Sequence, residues 1–137
     1  MPGFPMNTTA PFPYAGFLDA LERSGDATLA GVKASASLVP LLKAYKATLQ
    51  AAFDTTMAAD ELRRYQKYAK PGKPSAHIVQ LRQRQAAARQ ATSIARQSLI
   101  KAATVFVREA DIEVPAHMPL DAFIVGWIEG HVPRDAT

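Results

Sequence analysis

Arg82, Arg89 and Arg96 stand seven residues apart. On a helix that spacing keeps them nearly in line, drifting about 20° per step and advancing roughly 10 Å each time at 1.5 Å per residue. A line of guanidinium groups at that interval can follow a phosphate backbone, because the planar fork of arginine donates to two phosphate oxygens at once. Among them lie Gln80, Gln83, Gln85, Gln90 and Gln97, with Thr92, Ser93 and Ser98. These are neutral hydrogen-bonding groups of the kind that contact phosphate and sugar without reading bases. Arg84, Lys101 and Arg108 spread to other faces.

A second cluster precedes this line. Residues 63–74, RRYQKYAKPGKP, hold five positive charges, two tyrosines and no acid. Tyr65 and Tyr68 are neighbours on a helix, three residues apart, and interleave with Arg64 and Lys67, so they can stack on unpaired bases. Tyr65 also continues an apolar stripe, which makes it a core residue by pattern and leaves Tyr68 as the exposed ring. The candidate nucleic-acid-binding residues are therefore Arg63, Arg64, Lys67, Tyr68, Lys70, Lys73, Arg82, Arg89 and Arg96.

Both clusters belong to one block. Residues 1–61 carry four basic and six acidic groups, residues 62–108 carry eleven basic and none acidic, and residues 109–137 carry one basic and six acidic. An ordinary exposed helix face mixes both signs for solubility and i,i+4 pairing. Forty-seven residues without an acid point instead to a polyanion or to an acidic protein surface, including one on another copy of the chain.

The catalytic inventory is thin. Gly72-Lys73-Pro74-Ser75 echoes the end of a phosphate-binding loop, but the first glycine, the Lys-Ser adjacency and the preceding strand are missing. Glu109, Glu113 and His117 are spaced by four and would converge on a helix, yet Pro115 interrupts it, so no metal is expected there. His77 and His131 have no partners at ligand spacing, and no nucleophile motif is present. The expectation is a protein that is not an enzyme, with no catalytic residues, no metal and no cofactor.

Composition narrows the class. The chain has 137 residues, 48% of them hydrophobic and 20% charged, with no cysteine and a net charge of +4. That suits one globular core and excludes disulfides, thiolate metal sites and thiol chemistry. The N-terminus lacks the pattern of a signal peptide, and no stretch nears the roughly 18 apolar residues of a membrane span. The expectation is a soluble protein with no membrane partner, cytoplasmic or carried within a virion.

The elements that must position these residues are helical. Four prolines in the first thirteen residues describe an extended arm over 1–13. Phe17, Leu18 and Leu21 share a face before Ser24-Gly25. Asp26 caps a small-residue stretch, and Pro40 suits the first turn of the next helix. Leu38, Leu42, Tyr45, Leu49, Ala52, Phe53 and Met57 form an apolar stripe that Leu62, Tyr65 and Ala69 continue past Asp54-Thr55-Thr56, which predicts one long helix in preference to two with a break near residues 54–60.

Pro71, Gly72 and Pro74 then force a turn at 70–74. The longest helix follows over 76–110, with a seam of Ile78, Leu81, Gln85, Ala88, Thr92, Ala95, Leu99, Ala102 and Phe106. Its small side chains allow close approach but bury little apolar surface, so the helix must lean on neighbours. Leu120, Phe123, Ile124, Trp127 and Ile128 predict a last short helix that closes the core and stops at Gly130.

The reading is an all-α, single-domain bundle of four or five helices, two of them long and antiparallel about the 70–74 turn. It comprises an arm (1–13), a helical domain (14–130) and a tail (131–137). The expected function is non-catalytic binding along a DNA or RNA backbone, as an accessory subunit of a larger nucleoprotein assembly. Small helical subunits of RNA-guided DNA-targeting complexes and DNA-handling proteins of phages share the size and architecture, an analogy of fold alone. The alternative is a structural protein of a virion or other assembly whose basic block and N-terminal arm contact neighbouring protein subunits.

Overall fold

A computed structural model describes residues 9–24, 35–67 and 76–135. It is all-α: α1 (Ala15–Ser24), α2 (Ser35–Gln66), α3 (Ala76–Glu109) and α4 (Leu120–His131), with no strand among the described residues. α2 and α3 have 32 and 34 residues, each roughly 50 Å long at 1.5 Å per residue. They run antiparallel: Thr55 meets Thr92, Glu61 meets Arg84 and Tyr65 meets His77. The expected turn at 70–74 lies outside the described residues, as does the stretch capped by Asp26 up to residue 34, whose expected end at Ser37 falls inside α2.

α2 passes unbroken through Asp54-Thr55-Thr56. The Thr55 and Thr56 hydroxyls donate back to the Ala51 and Ala52 carbonyls at 2.8 and 3.1 Å, so they do not compete with the helix for backbone partners. Pro40 corrects the expected boundary. It stands inside α2, a turn beyond Ser35, exposed to solvent, where its ring costs one hydrogen bond without meeting a packed neighbour.

The molecule has a base and an arm. In the base, Tyr14, Leu18 and Leu21 of the α1 region pack with Leu38, Leu41, Leu42 and Tyr45 of α2, Leu99, Ala103 and Phe106 of α3, and Ile124, Trp127 and Ile128 of α4. Beyond it α2 and α3 continue as a pair, joined through Ala51, Ala58, Ala88 and Ala95, with Leu62, Ile78 and Leu81 forming a small apolar cluster near the far end.

On α2 the buried face swings from Leu38, Leu42 and Tyr45 in the base to Ala51, Ala58 and Leu62 in the arm. Ala52 and Met57, expected in the core, are therefore exposed. On α3 the expected seam holds at Leu99 and again at Phe106, and slips only at Ala102, where the adjacent Ala103 is the fully buried residue.

The core extends past both ends of the expected helical domain. Phe12 packs edge-on against Tyr14 and Tyr45, and the Ala10 N–H donates to Gln50 Oε1 at 2.8 Å. Residues 10–13 thus line the base, while residues 1–8 of the arm lie outside the described residues. At the other end Val132 is buried, and Asp135 accepts from the Gly16 N–H at 2.9 Å while its own N–H donates to Pro13. A side chain at position 16 would meet the Asp135 carboxylate at 2.8 Å, so glycine permits this approach.

α3 ends in a left-handed cap. Asp111 has φ 56°, and the N–H of Ile112 donates to Val107 at 2.9 Å, the paired geometry that closes a helix with its last carbonyls satisfied. α4 does not stop at Gly130 as the pattern suggested. It runs on to His131, whose ring stacks on Trp127 at 4.6 Å, and the Val132 N–H donates to Ile128 at 2.9 Å.

Candidate functional site

The contacts between α2 and α3 define two flanks of the arm. Glu61 and Arg84 close one flank, with Arg84 Nη1 3.2 Å from Glu61 Oε2. Tyr65 and His77 lie farther along the arm, their rings 4.4 Å apart and nearly perpendicular. Arg82 precedes Arg84 by two residues, a rotation of about 200° on a helix of 3.6 residues per turn. Arg82 and Arg89 therefore line the other flank.

The same register brings Arg63 level with Arg82. Glu61 is opposite Arg84 and Leu62 packs with Ile78 and Leu81, so each step forward on α2 is matched by a step back on α3. Arg63, two residues past Glu61 and turned by about 200°, falls on the flank of Arg82. Three arginines from two helices thus share one face, with Thr56, Ala59, Gln66 and Gln85 between them. This juxtaposition depends on how the helices pair and has no signal in the linear sequence.

Arg96 terminates the line. Its Nε donates to Asp121 Oδ2 of α4 at 2.9 Å, where the first turn of α4 meets the arm. The carboxylate supplies the acid that the basic block lacks, and it ties the third arginine to the base. Arg63 lies 3.8 Å from Asp60, both side chains well exposed. Such a pair is worth little in water and leaves the guanidinium accessible.

Arg64, Lys67, Arg82 and Arg89 are exposed and form no ion pair among the described residues. Tyr68, Lys70 and Lys73 lie outside the described residues. Tyr65, expected in the core, is 44% exposed, because α2 has rotated its buried face toward Leu62 and the ring rests on His77 instead.

The charges are unevenly distributed along the long axis, although the base also carries Arg23, Lys43, Lys46, Lys101 and Arg108. Residues 50–67 and 76–98 of the arm hold seven cationic side chains against three acids. Residues 111–135, beyond α3, hold Asp111, Glu113, Asp121, Glu129 and Asp135 against Arg134. Glu109 ends α3, so Glu113 and His117 fall on the connection and do not share a helical face with it. Among the described residues, no group of three or more His, Asp or Glu side chains could hold a metal ion, and no helix is long and apolar enough to cross a membrane.

The remaining buried polar groups are in the base. The Tyr14 hydroxyl is buried with no hydrogen-bond partner. Its neighbour Tyr45, rings 6.2 Å apart, has its pKa pushed above the ordinary value by burial first, and then by the negative charge of Glu129.

Comparison with protein-family models, with curated proteins and with solved structures returns no match.

Proposed function

We propose that this protein binds the sugar-phosphate backbone of a nucleic acid along its helical arm, as a non-catalytic accessory subunit of a larger nucleoprotein assembly. Subunits of RNA-guided DNA-targeting complexes and phage DNA-handling proteins are examples of the kind. What carries this reading is the register of α2 against α3, which by helical geometry puts Arg63, Arg82 and Arg89 on one flank, with Asp60 of the same helix beside Arg63 and, among the described residues, no ion pair at Arg82 or Arg89. Arg64 and Lys67 extend the basic surface toward the end of the arm, and Tyr68, Lys70 and Lys73, next in sequence, are proposed to take part as well. Binding by such a surface is driven by counterion release, with little sequence preference.

A salt titration against single- and double-stranded DNA and RNA tests the reading. With about four phosphate contacts, log K falls with log salt at a slope of roughly −3 to −4. A flat response overturns it.

A second reading is a structural protein of a virion or other assembly. It is favoured by the side chain of Ile94, 56% exposed on the arm, which suits a protein neighbour. Light scattering without nucleic acid separates the two: a closed oligomer or filament supports the structural protein, a monomer the nucleic-acid binder.

A further inference from the structure

Resting on the nucleic-acid reading, we infer that the ligand of the arm is a duplex and not a single strand. Proteins that hold single strands without sequence preference combine a cationic groove with aromatic rings on which bases stack, each worth about 1–3 kcal/mol. Among the described residues the aromatic rings are elsewhere. Phe12, Phe17, Phe106, Phe123 and Trp127 belong to the core of the base, as do Tyr14 and Tyr45, and Phe53 is half-buried. Tyr65 lies on the flank of Glu61 and Arg84 with its ring against His77. The flank of Arg63, Arg82 and Arg89 carries threonine, alanine and glutamine and, among the described residues, no aromatic side chain.

A surface that offers charge and no stacking ranks its ligands by charge density. A duplex presents one phosphate per about 1.7 Å of its axis, about twice the density of either strand at that rise, and releases about 0.9 counterions per contact against about 0.7 for a single strand. The arm is also stiff. Arg82 and Arg89 are held roughly 10 Å apart on a continuous helix, while Arg96 is tied to Asp121, so the free cations form a short fixed array that does not need a strand to fold around it.

Four contacts, from Arg63, Lys67, Arg82 and Arg89, give the duplex an advantage of about tenfold in Kd at ~50 mM salt, from the difference of ~0.2 counterions per contact. Fluorescence anisotropy with a labelled 20-base-pair DNA duplex, an RNA duplex of the same length and their separated strands reads this directly. The expected result is a Kd about tenfold lower for duplex than for strand, with salt slopes near −3.6 and −2.8. Exchanging both Arg82 and Arg89 for Glu should cut the preference to about threefold, since two of the four contacts remain, while exchanging Lys101 and Arg108 for Glu, an equal change of charge outside this flank, should leave it.

Equal or tighter binding of the strands overturns the duplex inference while leaving the backbone reading intact. Loss of strand affinity by tenfold or more on Tyr68→Ala, in a protein that binds strands as well as duplex, overturns it by showing a stacking platform. Binding of none of the four ligands overturns the backbone reading itself.

Discussion

Arg84 reaches across the arm to Glu61 at 3.2 Å, whereas Arg82, two residues earlier on the same helix, faces away from that pair and lies level with Arg63. One arginine of the basic block is therefore engaged within the fold and its near neighbour is not. The two should respond differently to mutation. Replacing Arg82 and Arg89 with Glu removes two phosphate contacts, weakening nucleic-acid binding about two-hundredfold at ~50 mM salt and flattening the salt slope by about 1.8. Arg84→Gln should change binding less than about threefold and leave the slope unaltered, since a single exposed pair contributes little. Parallel anisotropy titrations of the two variants check both outcomes.

The cap at Asp111 stores local strain. Its φ of 56° is a left-handed conformation that costs a side-chain-bearing residue free energy and glycine almost none. Asp111→Gly should stabilise the protein by about 0.5–1 kcal/mol. Urea unfolding should show a higher midpoint with an unchanged m value.

Tyr14 carries a buried hydroxyl with no partner, a desolvation cost without compensation. Tyr14→Phe should therefore be neutral or stabilising by up to about 1 kcal/mol, against the usual expectation for a core substitution. A loss of more than about 1 kcal/mol in thermal or urea unfolding would count against this account.

Tyr45 links stability to alkaline pH. Its folded-state pKa lies above the ordinary tyrosine value, through burial and then Glu129, so the folded chain holds a proton that the unfolded chain releases near pH ~10. The corresponding stability is fully present below pH ~10 and is lost as pH rises through the folded value. Comparing urea unfolding of wild type and Tyr45→Phe between pH 9 and 11 isolates this contribution: the variant should lose stability less steeply.

Packing differs between base and arm. Ala103 is fully buried against the four-helix core, so Ala103→Leu should cost about 1–3 kcal/mol through overpacking. Ile94→Ala, at an exposed position of the arm, should change stability by less than about 0.5 kcal/mol. Circular dichroism melts of the pair measure the contrast.

Much of the fold was legible because helical periodicity reports burial where one side of a helix faces one neighbour. The seam from Ile78 to Leu99 and the Ile124, Trp127 and Ile128 stripe followed from that rule. It failed on α2 at Ala52 and Met57, where the helix leaves α1 behind and keeps only α3, so its inner face rotates. It missed Val132 and the Phe12 contacts because short terminal segments have no period to read.

The candidate site was legible as a block of like charge and not as a surface. The carboxylates that engage Arg84 and Arg96 come from Glu61 and Asp121, on other helices, and the meeting of Arg63 with Arg82 depends on register. Counting along one chain direction cannot supply a pairing between two. Tyr68, Lys70 and Lys73 fall outside the described residues, so the structure adds nothing to their assignment.

The separation of base and arm also sets how far the two charged ends feel each other. From Arg82 to Glu109 along α3 is roughly 40 Å at 1.5 Å per residue. That is about five screening lengths at physiological ionic strength, but close to one at ~0.01 M. In cellular salt Glu109 and the acids of the connection neither weaken nor orient what approaches Arg82, whereas Asp121 acts at contact distance on Arg96. In dilute buffer they do, and the chain then presents itself to its surroundings as a single long dipole.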